Sequence, residues 1–557
     1  MKKFLIPTLM FACITTVKPK TATKTYPHPK LVVVVVIDQF AHHYLRKLSP
    51  YLCDGFKFLL QQGTSYENAH HPHGAPSTAP GHAGIGTGTI PYDHGIILNG
   101  WIDERGNKIT FGDDDDPKAA LLSKNAAPGE GKSARHMLVE TLSDRAILSS
   151  TAQRPFTVFS LSYKARAAIG MGGSKGNAIW FDAPSGQFTS SKTYFEKLPD
   201  WVEQFNKEHE ISKLTSMTWN LRFDADSQAY NFPFINNREY ATYTCKLAGN
   251  TFGINQQASC LSPDIDDADD FAEVHGPSLF LKTPAANKLL LDFAQTCLTQ
   301  NFSQAGNGTF LLWVSLSSLD MLGHKYGPDS LEMIDMIYHL DQQLGDFIKF
   351  CQNQGGKRDT LFVLTADHGV EPIPEILQLK GLSLSRRIQA KPLMKKMNTY
   401  LQKKYGIEKA VAYFKVNQFY LNTKTVPAHE KPKILRILKK YLLKQQGIKK
   451  VWTRDELIAS YYRPDQLECL FKNQCHPSRS GDLICMVQPF TTLTKHETGA
   501  AHRTPYNHDT HVPLIFYQEG YKPRTINTKV WVPQLPVTLA HIMGIPKPAA
   551  ARYGRLP

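Results

Sequence analysis

The chain has 557 residues, 42% of them hydrophobic and 20% charged, and carries a formal net charge of +15. That length and apolar content can bury a large core and exclude the disordered class, and a single sheet with insertions fits the length as well as several domains do. Beyond the N-terminus no stretch reaches about 18 consecutive apolar residues, so no membrane-spanning helix is expected. Zinc-finger spacing and RNA-recognition signatures are missing, which argues against nucleic acid as the main partner.

Lys2 and Lys3 open the chain, Phe4 to Val17 is largely apolar, and Lys18 to Lys24 is polar. A basic start, an apolar run too short to span a bilayer and a polar tail predict an export signal over residues 1–24 and a periplasmic product. Cys13 sits in a poor match to a lipoprotein cleavage site. Its loss leaves eight cysteines, an even count that suits an oxidising compartment. Close spacing favours Cys245 with Cys260 and Cys469 with Cys475 as pairs. With no CxxC pair present, cysteine is not the expected metal ligand.

Leu31 to Ile37 (LVVVVVI) is a β-branched run too short for a typical helix, the pattern of a strand buried on both faces. Comparable runs recur at Phe156 to Leu161, Phe310 to Leu316, Thr360 to Thr365 and Val512 to Tyr517. Helical patterns at Ala134 to Leu148 and Leu331 to Cys351 alternate with them. That alternation predicts an α/β fold with a mostly parallel central sheet sandwiched by helices, spanning residues 28–557. Two segments interrupt the pattern, about 192–270 and about 384–482, the second basic and with a helix around Lys433 to Gln445. Both read as insertions crowning the sheet edge. Most of the lysines between Lys380 and Lys450 read as a solvated helical face, although a basic balance also concentrates anionic substrates.

In such sheets ligands bind beyond the carboxyl ends of the strands. Asp38, Asp320 and the Asp367-His368 pair each follow a predicted strand. Thr78 precedes Ala79-Pro80-Gly81, and proline in a first helical turn puts Thr78 at a helix N-terminus, where N–H groups attract phosphate. Taken alone it is an ordinary N-cap, and Ser77 is a competing hydroxyl. Asp320 and His324 stand four apart, one helical turn, within reach of one cation. Asp367 and His368 are adjacent, so they serve one site only where the strand has ended. Carboxylate with imidazole is zinc-type ligation, and two such ions can hold both oxygens of an in-line displacement at phosphorus or sulfur.

The ordered set IDQF, STAPGHA, ILNGW, SLDMLGH, TADHG and TGAAHRTPYNHDTHVPL resembles the alkaline phosphatase superfamily, in the branch of phosphate-irrepressible alkaline phosphatases and nucleotide pyrophosphatase/phosphodiesterases. The resemblance implies two zinc ions. Asp38, Thr78, Asp367 and His368 would bind one and Asp320, His324 and His502 the other, with Thr78 as the nucleophile of a phosphothreonine intermediate. His508 and His511 are rivals to His502, because Ala501-His502-Arg503 departs from the family's Thr-His-Gly. Lys164 and Arg166, read as extended chain with both side chains pointing the same way, resemble the monoesterase branch, and Asn99 matches the family's phosphoryl-binding asparagine. His70, His71, His73, His82 and His94 read as supporting groups.

The expectation is therefore an exported zinc alkaline phosphatase acting as a monomer on small phosphate monoesters. A phosphodiesterase or nucleotide pyrophosphatase on the same scaffold is the first alternative. An inactive, metal-stabilised binding protein is the second. The missing Cys/Ser-x-Pro-x-Arg segment argues against a sulfatase. A cofactor-independent mutase would use a serine and lack the export signal.

Overall fold

The computed structural model describes residues 28–123, 129–232, 247–253 and 277–557. The expected export signal, the Cys245–Cys260 pair and much of the 192–270 segment fall outside them. A nine-stranded sheet forms the centre. Its strands are β1 (Leu31–Ile37), β2 (Thr64–Tyr66), β3 (Phe156–Ser162), β4 (Asn177–Asp182), β5 (Gln187–Thr189), β6 (Thr309–Leu316), β7 (Thr360–Thr365), β8 (Leu514–Tyr517) and β9 (Arg524–Ile526). Their order is β9-β2-β8-β7-β1-β6-β3-β4-β5. The block β7-β1-β6-β3-β4 is parallel, while β8 and β5 run antiparallel to their neighbours at either side of it.

All seven residues of β1 have no exposure. A central parallel strand covered on both faces has no wet side, which is why the sequence shows a run and no alternation. Burying each such aliphatic side chain contributes about 1.5–3 kcal/mol. The covering helices include α1 (Thr78–Thr87), α2 (Leu142–Leu148), α3 (Ala165–Gly172), α4 (Pro284–Asn301), α5 (Ser318–Tyr326) and α6 (Leu331–Gly355). Register places the chemistry: Ile37 pairs with Leu316, Val36 with Thr365 and Ser315 with Ser162. Three loops carrying Asp38, Asp367 and Lys164, together with the start of α5, therefore leave one sheet edge together.

Several expected elements differ in detail. The helix expected from Ala134 begins only at Leu142, because Thr141 and Asp144 form a reciprocal capping box that fixes the start there. The strand expected over Val512 to Tyr517 is split. His511–Val512 joins a small separate sheet, and Pro513, which has no N–H to give a ladder, divides it from β8. Lys164 and Arg166 are not on extended chain: β3 ends at Ser162, and Lys164 is the N-cap of α3. Cys469 and Cys475 are free thiols.

Within 384–482 and just beyond it lies a second layer with its own apolar cluster. Four strands, Val411–Lys415, Gln418–Leu421, Leu483–Val487 and Ile448–Thr453, form its sheet. Around them lie α7 (Ala390–Tyr405), α8 (Lys431–Leu442), α9 (Arg454–Ala459) and α10 (Leu467–Gln474). The helix expected around Lys433 to Gln445 is α8. Gln474 of α10 binds Ala75 N–H and the Ile97 carbonyl, tying this layer to the loop before α1.

Candidate active site

Thr78 is the first residue of α1, 1% exposed, after an extended Ser77 whose hydroxyl makes no cap bond. Gly81 lets that turn sit against Asp367, since a Cβ there would come within 2.5 Å of the Asp367 carbonyl oxygen. Gly86 lets α1 lie directly on α3, since its Cβ would stand 2.3 Å from the Gly170 carbonyl oxygen. That contact brings Thr78 beside Lys164. The Lys164 ammonium, buried, donates to Asp38 Oδ2 at 2.7 Å, to the Asp320 carboxylate and to Thr78 Oγ1 at 3.4 Å. Asn99 accepts from Ala79 N–H at 2.8 Å through its amide oxygen, which leaves its NH2 to donate elsewhere. Arg166 is half-buried, and its Nε has no hydrogen-bond partner.

Asp38, Asp320 and Asp367 are 0%, 2% and 0% exposed, at the ends of β1, in the first turn of α5 and after β7. Three histidines face them. His324 Nε2 is 3.2 Å and His502 Nε2 3.8 Å from Asp320 Oδ1, while His368 Nε2 is 3.3 Å from Asp38 Oδ1 and 3.5 Å from Asp367 Oδ2. In each ring Nδ1 meets a backbone carbonyl: Ala500 at 3.0 Å, Pro76 at 2.8 Å and Gly369 at 2.9 Å respectively. A carbonyl only accepts, so Nδ1 carries a proton in each ring and Nε2 is the atom turned toward the carboxylates, where burial lowers the His368 ring but Asp367 and Asp38 outweigh it and hold it above the ordinary imidazole value. Imidazoles that ligate metals are oriented in this way.

The charges are unevenly balanced. Burial raises the Asp367 carboxyl well above its usual range, with Asp38 adding to it. Burial and Asp320 push Asp38 the same way, but Lys164 and His368 outweigh them and hold it below normal. For Asp320, too, burial raises and Lys164 with His324 lowers, leaving it well below. Burial, then His368 and His324, press His502 well below the ordinary imidazole value. Asp38 Oδ1, Asp367 Oδ2 and His368 Nε2 are buried without hydrogen-bond partners. Three carboxylates around one ammonium, with orphaned oxygen and nitrogen donors, fit divalent cations bound through oxygen and imidazole. Two donor groups meet that need, Asp320 with His324 and His502, and Asp38 with Asp320 and His368. Asp320 stands in both, where the sequence placed it in one: its Oδ1 meets His324 and His502, while its Oδ2 accepts from Lys164.

The structure thus gathers Asp38, Thr78, Lys164, Asp320, His324, Asp367, His368 and His502. His508 and His511 lie elsewhere, on Thr504 and on the Glu67 carbonyl. Sequence reasoning missed Gln39. This residue is buried at φ 67°, a left-handed conformation rare for a side-chain residue. Its amide donates to Asp320 Oδ1 at 2.7 Å and its backbone N–H to Asp367 Oδ1 at 3.2 Å. It lies inside the IDQF motif beside Asp38, but its residue type alone assigned it no role. His82 behaves as the supporting group expected, 2.8 Å from the Thr78 carbonyl and 3.2 Å from Asp367 Oδ2.

The family model described as "Type I phosphodiesterase / nucleotide pyrophosphatase" matches residues 32–513. The chain belongs to this family. It is 30% identical over 547 residues to alkaline phosphatase PhoV of Synechococcus elongatus, covering 96% of this chain and 94% of that one. The crystal structure of wild-type alkaline phosphatase PafA superposes with a TM-score of 0.80 at 27% identity, covering 95% of this chain and 98% of that one. A PafA variant, with a TM-score of 0.80 at 26% identity and the same coverage, has four residues substituted together: a threonine, an asparagine 21 positions later, and a lysine and an arginine two positions apart.

Proposed function

We propose that this chain is an exported, zinc-dependent alkaline phosphatase that acts as a monomer on small phosphate monoesters, through a covalent phosphothreonine at Thr78. Membership of the family and likeness to two alkaline phosphatases make it a phosphoric monoester hydrolase. Residues 1–24 serve as the export signal in this reading, and 28–557 as the catalytic unit with insertions at about 192–270 and 384–482. Among the described residues no helix is long and apolar enough to cross a membrane.

The observation that carries the choice of monoester is the buried Lys164 ammonium 3.4 Å from the Thr78 hydroxyl. A monoester near neutral pH is close to a dianion, with more terminal charge than a diester, and a fixed ammonium with a guanidinium fork matches it. The Thr78-to-Asn99 and Lys164-to-Arg166 spacings equal those of the four residues replaced in the PafA variant.

Asp38, Thr78, Asp367 and His368 would hold one ion and Asp320, His324 and His502 the other. Bound there, the ions would supply Lewis-acid charge to the phosphoryl oxygens and lower the hydroxyl's pKa. The residues of the chain do the rest. Thr78 Oγ bonds to phosphorus as the ester P–O bond breaks and the alcohol leaves with a proton. Water then cleaves the P–Oγ bond, releasing inorganic phosphate and restoring the hydroxyl. Asn99, Lys164 and Arg166 stabilise the phosphoryl oxygens, an electrostatic contribution of about 10²–10³ in rate per donor.

Rates on nitrophenyl phosphate and bis-nitrophenyl phosphate at alkaline pH test this reading, with zinc measured on the same sample. The monoester is expected to react faster, and Lys164→Ala/Arg166→Ala to lose monoester turnover by more than diester turnover. A diester preference, or full monoester activity in that double variant, would assign the phosphodiesterase alternative. Thr78→Ala as active as the parent would remove the threonine mechanism, and no activity in the parent would leave a metal-stabilised binding protein.

A further inference from the structure

The segment 384–482 contains 22 of the 64 Lys and Arg residues but only 7 of the 49 Asp and Glu residues. Its formal charge of +15 therefore equals that of the whole chain, and the remainder, with 42 of each sign, is neutral. The structure shows where this charge lies. Along Ile448–Thr453 and Leu483–Val487 side chains alternate between two clusters: Val451, Leu483, Cys485 and Val487 join α7 and α8, while Trp452, Ile484 and Met486 join α9 and α10. The α10 side faces the catalytic unit, where Asn473 binds the Pro72 carbonyl and Gln474 binds Ala75 and Ile97. The α7–α8 layer therefore lies on the opposite, outward side, away from Thr78.

Each of these helices buries one stripe, Leu393, Met397 and Leu401 in α7 and Ile434, Leu438 and Leu442 in α8. Tyr400 and Tyr441 pack the two helices side by side, with ring centroids 4.9 Å apart. Lys395, Lys396, Lys433, Arg436 and Lys440 occupy the other face, exposed and with no carboxylate partner among the described residues. Apolar groups border them. Leu443 is 45% exposed at the end of α8 and Leu384 is 69% exposed. They share one end of the layer, because Arg386 Nη1 binds Gln446. A groove of about 620 Å³ along α8 has Pro432, Leu435 and Leu443 beside Arg436 and Lys440, with Asp455 and Glu456 on its far wall, Glu456 paired with Lys439.

A cationic helical face edged with exposed leucines has the composition of a surface that lies on a bilayer, lysines at the phosphates and aliphatic groups at the acyl boundary. We propose that the outer face of α7 and α8 docks this protein on an anionic phospholipid surface, with the catalytic edge held away from it. The leucines favour lipid over a soluble polyanion, which would gain nothing from them.

Co-sedimentation of the full chain with vesicles tests this, comparing phosphatidylcholine alone with a mixture containing about one-third phosphatidylglycerol. At least tenfold stronger partitioning onto the anionic vesicles is expected, falling steeply as salt is raised, since screening shortens to a few ångströms. The variant Lys395→Glu/Lys396→Glu/Lys433→Glu/Arg436→Glu/Lys440→Glu should lose this preference while keeping the parent's melting temperature and turnover. Parent and variant share residues 1–24, so any lipid affinity of that segment cancels. Leu384→Ser/Leu443→Ser should weaken binding with the charge intact. Indifference of the parent to phosphatidylglycerol, or parent-like binding by the charge variant, would overturn the proposal. So would tighter binding to a single-stranded oligonucleotide that is unaffected by the leucine changes, which would assign the face to polyanions.

Discussion

Gln39 stands in the IDQF motif with only Asp38 read as chemical, yet it joins two further carboxylates that reach the site from β7 and α5. Holding a non-glycine residue at φ 67° costs about 1–3 kcal/mol, which the surrounding structure must over-determine. Two hydrogen bonds to Asp320 and Asp367 are what that conformation secures. Gln39→Ala keeps the backbone demand and deletes the amide. It is expected to weaken metal binding by about 10–100-fold in competition with a chelator, because groups that orient ligands carry that much affinity. Parent-like affinity would mean that Asp320 is held by the α5 helix alone.

At the scale of elements, the packing of α1 on α3 is a glycine contact with mechanistic weight, since the two helices begin at Thr78 and just after Lys164. Gly86→Ala must push them apart. We expect a loss of about 1–3 kcal/mol in urea unfolding together with a fall in turnover, and a loss of stability alone would show that the helix starts do not move. On the other side of the sheet, Asp335 in α6 staples the segment Ser216–Tyr230. Its carboxylate accepts from Trp219 Nε1 at 2.6 Å and Arg222 N–H at 2.8 Å, and Tyr230 also donates to it. Burial raises this carboxyl, but His339 and the donors outweigh it and hold it below the usual range. A depressed folded pKa gives stability that is full above the unfolded value of about 3.9 and is lost as pH falls through the folded one. Asp335→Asn should therefore be less stable than the parent by about 1–3 kcal/mol from pH 7 to 5, with the gap narrowing below about pH 4. A gap independent of pH would assign the effect to shape.

For the molecule as a whole, three buried carboxylates against one ammonium make the catalytic edge dependent on bound cations. Dialysis against a chelator is expected to abolish turnover and lower the melting temperature by a few degrees, both restored by zinc. Ligand at about 100 times its dissociation constant stabilises by about 2.7 kcal/mol. Unchanged melting and turnover after chelation would show that Lys164 alone balances the site. The charge distribution belongs to this scale too, because residues 384–482 carry a formal charge of +15, equal to that of the whole chain, while the rest of the sequence sums to zero.

Leu31 to Ile37, Thr360 to Thr365 and the other β-branched runs declared the parallel sheet, because a strand buried on both faces leaves a continuous apolar record. The residues ending those runs, with the Asp320-to-His324 spacing and the proline after Thr78, made most of the candidate site legible for the same local reason. Position within three dimensions was not legible. Whether His502, His508 or His511 faces Asp320 depends on where the 500–512 loop crosses the sheet edge. Lys164 read as extended chain, and its place between two carboxylates depends on the Gly86–Gly170 contact of α1 with α3. Gln39 acquires its partners only when β1, β7 and α5 meet. Sequence by itself determined the elements, since burial periodicity and turn chemistry act over a few residues. Tertiary structure alone decided which side chains share a site and which face carries the charge, because contacts between residues hundreds apart leave no local pattern.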